Sequence, residues 1–180
     1  LVSKEVQRRS IYSLLAKPVT RLQFVLGKYA GLVLTLAVNV AVMIAAHYSV
    51  LGVMSWLESP EFRAGWEAPA TDPAMLKAFF LIFVQLMLIT AVALFFSTFS
   101  SAALSAALTI GLYAVGHFNA DLRNFETVVD SPAAAALARG FYYVLPNLAP
   151  FDVKTAVVHA QPVPWGYIAL TTAYGVAYVA

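Results

Sequence analysis

Residues 4–28 read Lys4-Glu5-Val6-Gln7-Arg8-Arg9-Ser10-Ile11-Tyr12-Ser13-Leu14-Leu15-Ala16-Lys17-Pro18-Val19-Thr20-Arg21-Leu22-Gln23-Phe24-Val25-Leu26-Gly27-Lys28. Six cations, Lys4, Arg8, Arg9, Lys17, Arg21 and Lys28, face one acid, Glu5. An uncharged apolar run follows at once. A basic segment joined to an apolar span is expected on the cytoplasmic side of a membrane. The topology predicted for the rest of the chain is counted from that anchor.

The arm has internal punctuation. Ser3 can cap a short helix that stops before Pro18, because proline lacks the N–H and clashes with the preceding turn. Thr20 then opens a second helix. Thr20-x-x-Gln23 fits a capping box, in which each side chain bonds the other residue's backbone N–H. Ile11, Leu14, Leu15, Leu22, Val25 and Leu26 give both halves an apolar side, with the cations among them. Two readings of the arm stand together. It can lie at the interface and hold anionic head groups, or it can dock a cytosolic partner.

The composition points the same way. Of 180 residues, 61% are hydrophobic and 11% charged, against about 25% charged in a soluble domain. The net charge is +2, but it is unevenly spread: +5 over residues 1–28, −2 over 54–77 and −1 over 119–165. There is no cysteine, which excludes disulfides, thiolate catalysis and cysteine-held metals or clusters. The chain begins with Leu and stops within an apolar run, so it is expected to be a fragment of a longer membrane protein. The basic arm is too long, and the apolar run after it too extended, for a cleavable signal peptide.

Residues 29–53 carry no formal charge and are long enough to cross the ~30 Å hydrocarbon core. Gly27 and Gly31 form a small-xxx-small pair that admits a close neighbouring helix. Asn39, in mid-span, is expected to face another helix, or else a transport pathway. His47, near the outer end, is expected to pack as a neutral, hydrogen-bonded residue. Residues 54–74 form an external loop, with Trp56 and Trp66 suited to the head-group region and Pro60, Pro69 and Pro73 breaking any long helix.

Residues 78–120 contain no Asp, Glu, Lys or Arg. As one helix these 43 residues would reach about 65 Å, twice a bilayer, so the run must fold back. The polar cluster Ser97-Thr98-Phe99-Ser100-Ser101 marks the turn. Two spans follow, 75–96 and 102–118, with a cytoplasmic turn at 97–101. The second is rich in small residues (Ala102, Ala103, Ser105, Ala106, Ala107, Gly111, Ala114 and Gly116), a face expected to pack closely. Gln85 is a buried amide in need of a partner, with a pathway role as the alternative.

Residues 119–165 form a second external segment. Ser131-Pro132 is a helix start and Gly140 a stop. Asp152 is expected to cap a helix over 153–160, closed by Pro162 and Pro164. The aromatic stretch Phe141-Tyr142-Tyr143-Val144-Leu145-Pro146-Asn147-Leu148 between them is too greasy for a free loop and too short to span. A re-entrant pair of helices at the outer interface is predicted. Residues 166–180 open a last, truncated span. The predicted fold class is therefore an all-α membrane protein, a single transmembrane domain over 1–180 with about four transmembrane helices, an N-terminal amphipathic arm and short external re-entrant helices.

Signatures of soluble-enzyme chemistry are missing. Gly27-Lys28 is not a phosphate-binding loop, because Leu22 stands where its first glycine belongs and Tyr29 where Ser or Thr belongs. His117 and Asp121 are four apart, but two candidate ligands do not make a metal site. No Ser/His/acid set lies at a common depth. The N-terminal cations belong to a membrane boundary rather than a nucleic-acid surface.

The arm Leu14-Leu15-Ala16-Lys17-Pro18-Val19-Thr20-Arg21, followed by Gly27-Lys28-Tyr29-Ala30-Gly31, resembles the cytoplasmic segment of ABC-2 type permeases, the membrane subunits of one class of ATP-binding-cassette (ABC) transporter. Leu145-Pro146-Asn147-Leu148 resembles the stretch before that family's last span. The resemblance implies spans three to six of a six-span permease in a bacterial cytoplasmic (inner) membrane, with the arm as its cytoplasmic coupling helix. It also implies no cofactor and no ATP site of its own, a cytosolic ABC ATPase dimer as partner, and a second permease copy or related half. The implied ATPase-coupling residues are Glu5, Arg8, Arg9, Leu14, Leu15, Lys17, Pro18 and Arg21; Asn39 and Gln85 are the pathway candidates. Beside this transporter reading stands a non-transporting membrane scaffold or assembly factor. An intramembrane enzyme is disfavoured by the absence of charged residues between 78 and 120.

Overall fold

A computed structural model describes residues 20–67, 69–117, 140 and 145–179. The described residues are mostly helical, and no strand occurs among them. The main elements are α1 (Arg21–Leu57), α2 (Pro60–Arg63), α3 (Met75–Phe99), α4 (Ala102–His117), a 3-10 turn (Ala149–Phe151), α5 (Lys154–Val158) and α6 (Trp165–Val179). The predicted arm helix before Pro18, residues 131–139 of the helix predicted over 131–140 and the aromatic residues 141–144 lie outside the described residues; Gly140, the expected stop, is described and helical.

Two helices, α1 with 37 residues and α3 with 25, are long and apolar enough to cross a membrane. Within the described residues α4 covers 16 residues and α6 covers 15, a rise of about 24 and 22 Å. The chain divides into two compact units, one of residues 1–32, 88–150 and 179, the other of residues 33–87, 151–178 and 180.

In the first unit the second half of α3 and α4 form a tight hairpin. Its turn is narrower than predicted. Ser97, Thr98 and Phe99 remain helical, and only Ser100 and Ser101 turn. The reason is local. Ser97 Oγ donates to the Leu94 carbonyl at 2.8 Å and Thr98 Oγ1 to the Phe95 carbonyl at 2.7 Å, so these hydroxyls are satisfied without leaving the helix. Ser105 Oγ donates across the hairpin to the Ala93 carbonyl at 3.2 Å. The small-residue face of α4 is covered only in part: Ser105 and Gly116 are buried, while Ala102, Ala103, Ala106, Ala107, Gly111 and Ala114 are exposed. At Gly116 the segment Pro146–Leu148 comes so near that a Cβ would sit 2.8 Å from Leu148 Cγ and 2.9 Å from the Pro146 carbonyl oxygen. The Leu148 N–H donates to the Gly116 carbonyl at 2.9 Å and fixes that approach.

In the second unit α1 and α3 run antiparallel. Tyr48 Oη donates to the Asp72 carbonyl at 2.8 Å, and the His47 ring lies edge-on to Phe79. The start of α6 joins the start of α3, where Lys77 Nζ donates to the Val163 carbonyl at 2.9 Å. Further along, Gly175 of α6 lets Val84 of α3 within 2.9 Å of a would-be Cβ. Hence α3 and α6 are parallel. Phe151 is fully buried beside Gly175 of α6, and Val153, Val157 and Val163 in the segment before α6 are buried as well. On α3 the buried residues Ala78, Leu81 and Gln85 share one helical face, and Ile168, Thr171 and Gly175 share one on α6. None of the 37 residues of α1 is buried.

Three local expectations are corrected. First, α1 continues to Leu57 rather than ending at 53, since Met54, Trp56 and Leu57 carry the apolar helical run on. Second, Pro60 starts a helical turn instead of merely interrupting one. Ser59 Oγ accepts from the Phe62 N–H at 3.3 Å, and proline suits the first helical position because its missing N–H has no helical partner. Third, the helix expected over 153–160 spans Lys154–Val158, with Val153 at its N-cap. Asp152 Oδ1 still accepts from the Lys154 N–H at 3.3 Å. That helix closes in a Schellman motif: the Gln161 N–H bonds the Ala156 carbonyl at 2.8 Å and the Ala160 N–H the Val157 carbonyl at 3.2 Å. Ala160 takes φ 53°, the left-handed conformation that favours glycine.

Candidate functional site

The sequence points first to the entry of α1. The predicted capping box is present. The Gln23 N–H donates to Thr20 Oγ1 at 3.3 Å, and the Thr20 N–H donates to Gln23 Oε1 at 3.0 Å. Two of the four N–H groups that a helix start leaves orphaned are thereby satisfied. Arg21 is the first helical residue and is exposed; Lys28 Nζ sits 5.9 Å from the Phe24 ring centroid one turn earlier. Among the coupling candidates only Arg21 is described. Glu5, Arg8, Arg9, Leu14, Leu15, Lys17 and Pro18 lie outside the described residues. The Gly27/Gly31 pair meets no atom within 4 Å of a Cβ built at either position.

The two pathway candidates part company. Asn39 is exposed, and its Nδ2 donates to the Thr35 carbonyl of its own helix at 2.9 Å. An amide in mid-span can meet its need within one turn, and here it does. Gln85 is buried at 8% exposure, as its place in the apolar run predicts. His47 contacts Met75, with Nε2 3.4 Å from the sulfur, and packs between Tyr48 and Phe79 rings. His117 Nδ1 lies 3.0 Å from the Tyr113 carbonyl oxygen. Among the described residues no group of three His, Cys, Asp or Glu can hold a metal.

Two features escaped the sequence reading. In the first unit a cavity of about 450 Å³ is lined by four hydroxyl-bearing residues, Thr90, Ser97, Ser105 and Thr109, among small and aliphatic ones. Thr109 Oγ1 donates to the Ser105 carbonyl at 2.7 Å, so this polar strip is held by its own helix backbone. In the second unit, the end that gathers the close of α1 with the starts of α3 and α6 is densely polar. There Lys77 Nζ lies 4.9 Å over the Trp165 ring, and His159 Nδ1 meets Glu67 Oε2 at 2.6 Å. Both members of the His159–Glu67 contact are more than half exposed, so solvent screening leaves it little weight. The signal for Lys77 was its isolation as the single formal charge on α3. Its partners lie more than eighty positions away, beyond the reach of local pattern.

No family model matches this chain, and neither a curated protein nor a solved structure matches it.

Proposed function

We propose that this chain is a membrane-spanning permease subunit of an ABC-2 type ATP-binding-cassette transporter, moving its substrate with ATP hydrolysed by a separate ATPase chain. The observation that carries the reading is the charge step at the N-terminus: six cations and one acid in residues 1–28, then an apolar run entered through a capped helix start. On this reading the arm faces the cytosol and the ends of α1 and starts of α3 and α6 face outward. Four spans cross the membrane, α4 and α6 among them, and the segment between α4 and α6 dips into the outer interface. The antiparallel α1/α3 and parallel α3/α6 pairs support that order of crossings.

Work enters through the arm. Closure of two ATPases on ATP pushes the paired arms of two permease copies, or of two related halves, and rocks the spans between inward- and outward-open forms. Such coupling requires the ATP-bound state to contact the two forms with different free energy. The elbow predicted at Pro18 and the capped start of α1 would pass that force into the first span. Co-purification from detergent extracts tests the proposal. An ABC ATPase should be recovered with the chain and lost when Arg8, Arg9 and Arg21 are replaced by Ala. Intact chain recovered without an ATPase, or with one that survives the triple substitution, overturns it in favour of a membrane scaffold.

A further inference from the structure

An apolar groove of about 770 Å³ opens at the polar end of the second unit, lined in part by Asp72, Leu76, Lys77, Phe80, Trp165 and Ile168. That volume lies within the range of small-molecule sites. Its rim is accessible, since Leu76 and Phe80 are each nearly half exposed and Trp165 more so. Two opposite charges stand on this apolar wall, and each is held by backbone. Lys77 Nζ donates to the Val163 carbonyl at 2.9 Å and lies over the Trp165 ring. An ammonium has three N–H donors, so others remain for a ligand. Asp72 Oδ1 accepts from the Ala74 N–H at 2.8 Å. A carboxylate oxygen has further lone pairs to offer.

An ammonium, a carboxylate and an apolar trough together complement one kind of molecule: an amphiphile with a phosphate, an amine and a hydrocarbon chain. A simple anion would meet the Asp72 charge, and a purely apolar segment would leave both charges unanswered. Lysine and tryptophan at the starts of two apolar helices also suit the head-group level, where the lysine stem and the indole ring gain from both phases. We propose that this groove binds one zwitterionic phospholipid of the phosphatidylethanolamine type from the bilayer. Its phosphate lies on Lys77 Nζ, its head-group amine on Asp72, and an acyl chain along Leu76 and Phe80. The proposal rests on the membrane-spanning reading above, though not on the identity of any ATPase.

Native mass spectrometry of the full-length protein tests it, after reconstitution in nanodiscs that mix phosphatidylethanolamine and phosphatidylglycerol. The wild type should retain phosphatidylethanolamine in preference. Lys77→Gln should lower retention roughly tenfold, the effect of losing one charge-assisted hydrogen bond. Asp72→Asn keeps the Oδ1 acceptor for Ala74 but removes the charge, and should abolish the preference between the two lipids. Leu76→Trp fills the groove from an exposed position and should displace the lipid without lowering the unfolding midpoint. Equal lipid retention by wild type, Lys77→Gln and Leu76→Trp overturns the site. Alkaline extraction of membranes separates the two failures. If the wild type stays in the membrane pellet, equal retention defeats the lipid site alone; if it is released, the spanning reading falls and the site with it.

Discussion

Gly116→Ala and Gly111→Ala place the same methyl group on the same helix, and the structure predicts opposite effects. At Gly116 the added Cβ would lie 2.8 Å from Leu148 Cγ, 2.9 Å from Leu148 Cδ1 and 2.9 Å from the Pro146 carbonyl oxygen. Leu148 is fully buried, and the atom met is its branch point rather than a free end. The Pro146 oxygen is backbone, and the Leu148 N–H bond to the Gly116 carbonyl ties the segment down. Relief therefore requires the 146–148 segment to shift. Overpacking of this kind costs about 1–3 kcal/mol. Replacing glycine by alanine within a helix returns about 1 kcal/mol. The Gly116 variant should thus lose about 1 kcal/mol. At Gly111 nothing lies within 4 Å of the new atom, so the helix gain stands alone. Thermal unfolding in a mild detergent reads the difference. At about 2–4 °C per kcal/mol for a chain of this size, the Gly111 variant should melt several degrees above the Gly116 variant. A Gly116→Ala protein as stable as Gly111→Ala would refute the close approach of Pro146–Leu148 to α4.

Two further substitutions probe helix ends. Thr20→Ala removes the side-chain acceptor for the Gln23 N–H and should cost about 1 kcal/mol, seen as faster hydrogen exchange confined to the first turn of α1. Ala160→Gly relieves the left-handed residue that closes α5 and should raise stability by about 1 kcal/mol, measured as an upward shift in the unfolding midpoint; unchanged or lower stability would contradict the Schellman closure.

Much of the helical layout was legible because its signals are local. Thr20 and Gln23 sit three apart in a recognised pairing, and their reciprocal bonds are observed. The apolar runs around α1 and α3, and the fold-back near Ser100, follow from length against bilayer thickness. What escaped was non-local or chemically ambiguous. Helix α3 is apolar on nearly every side, so although Gln85 was expected to be buried, composition did not reveal that Ala78 and Leu81 share its buried face. Ser97 and Thr98 look like turn residues by polarity, yet their hydroxyls bond back into the helix. Asn39 bonds the Thr35 carbonyl of its own helix, a local partner that its polarity alone does not announce. The Lys77–Val163 bond links positions 86 apart, and no window of sequence contains both. The closure of α5 lacks the glycine that normally announces it.

The central claim concerns sidedness, and cysteine labelling measures it: residues 1–180 contain no cysteine, and any lying elsewhere in the full-length protein would first be replaced by serine. Lys17→Cys and Glu61→Cys, introduced singly into the full-length protein, can be challenged in intact cells with a maleimide that does not cross membranes. The account predicts that position 61 is labelled at once, and position 17 only after the cells are opened. Labelling of position 17 from outside, with position 61 protected until lysis, would contradict a cytosolic arm and the ATP-driven coupling built on it.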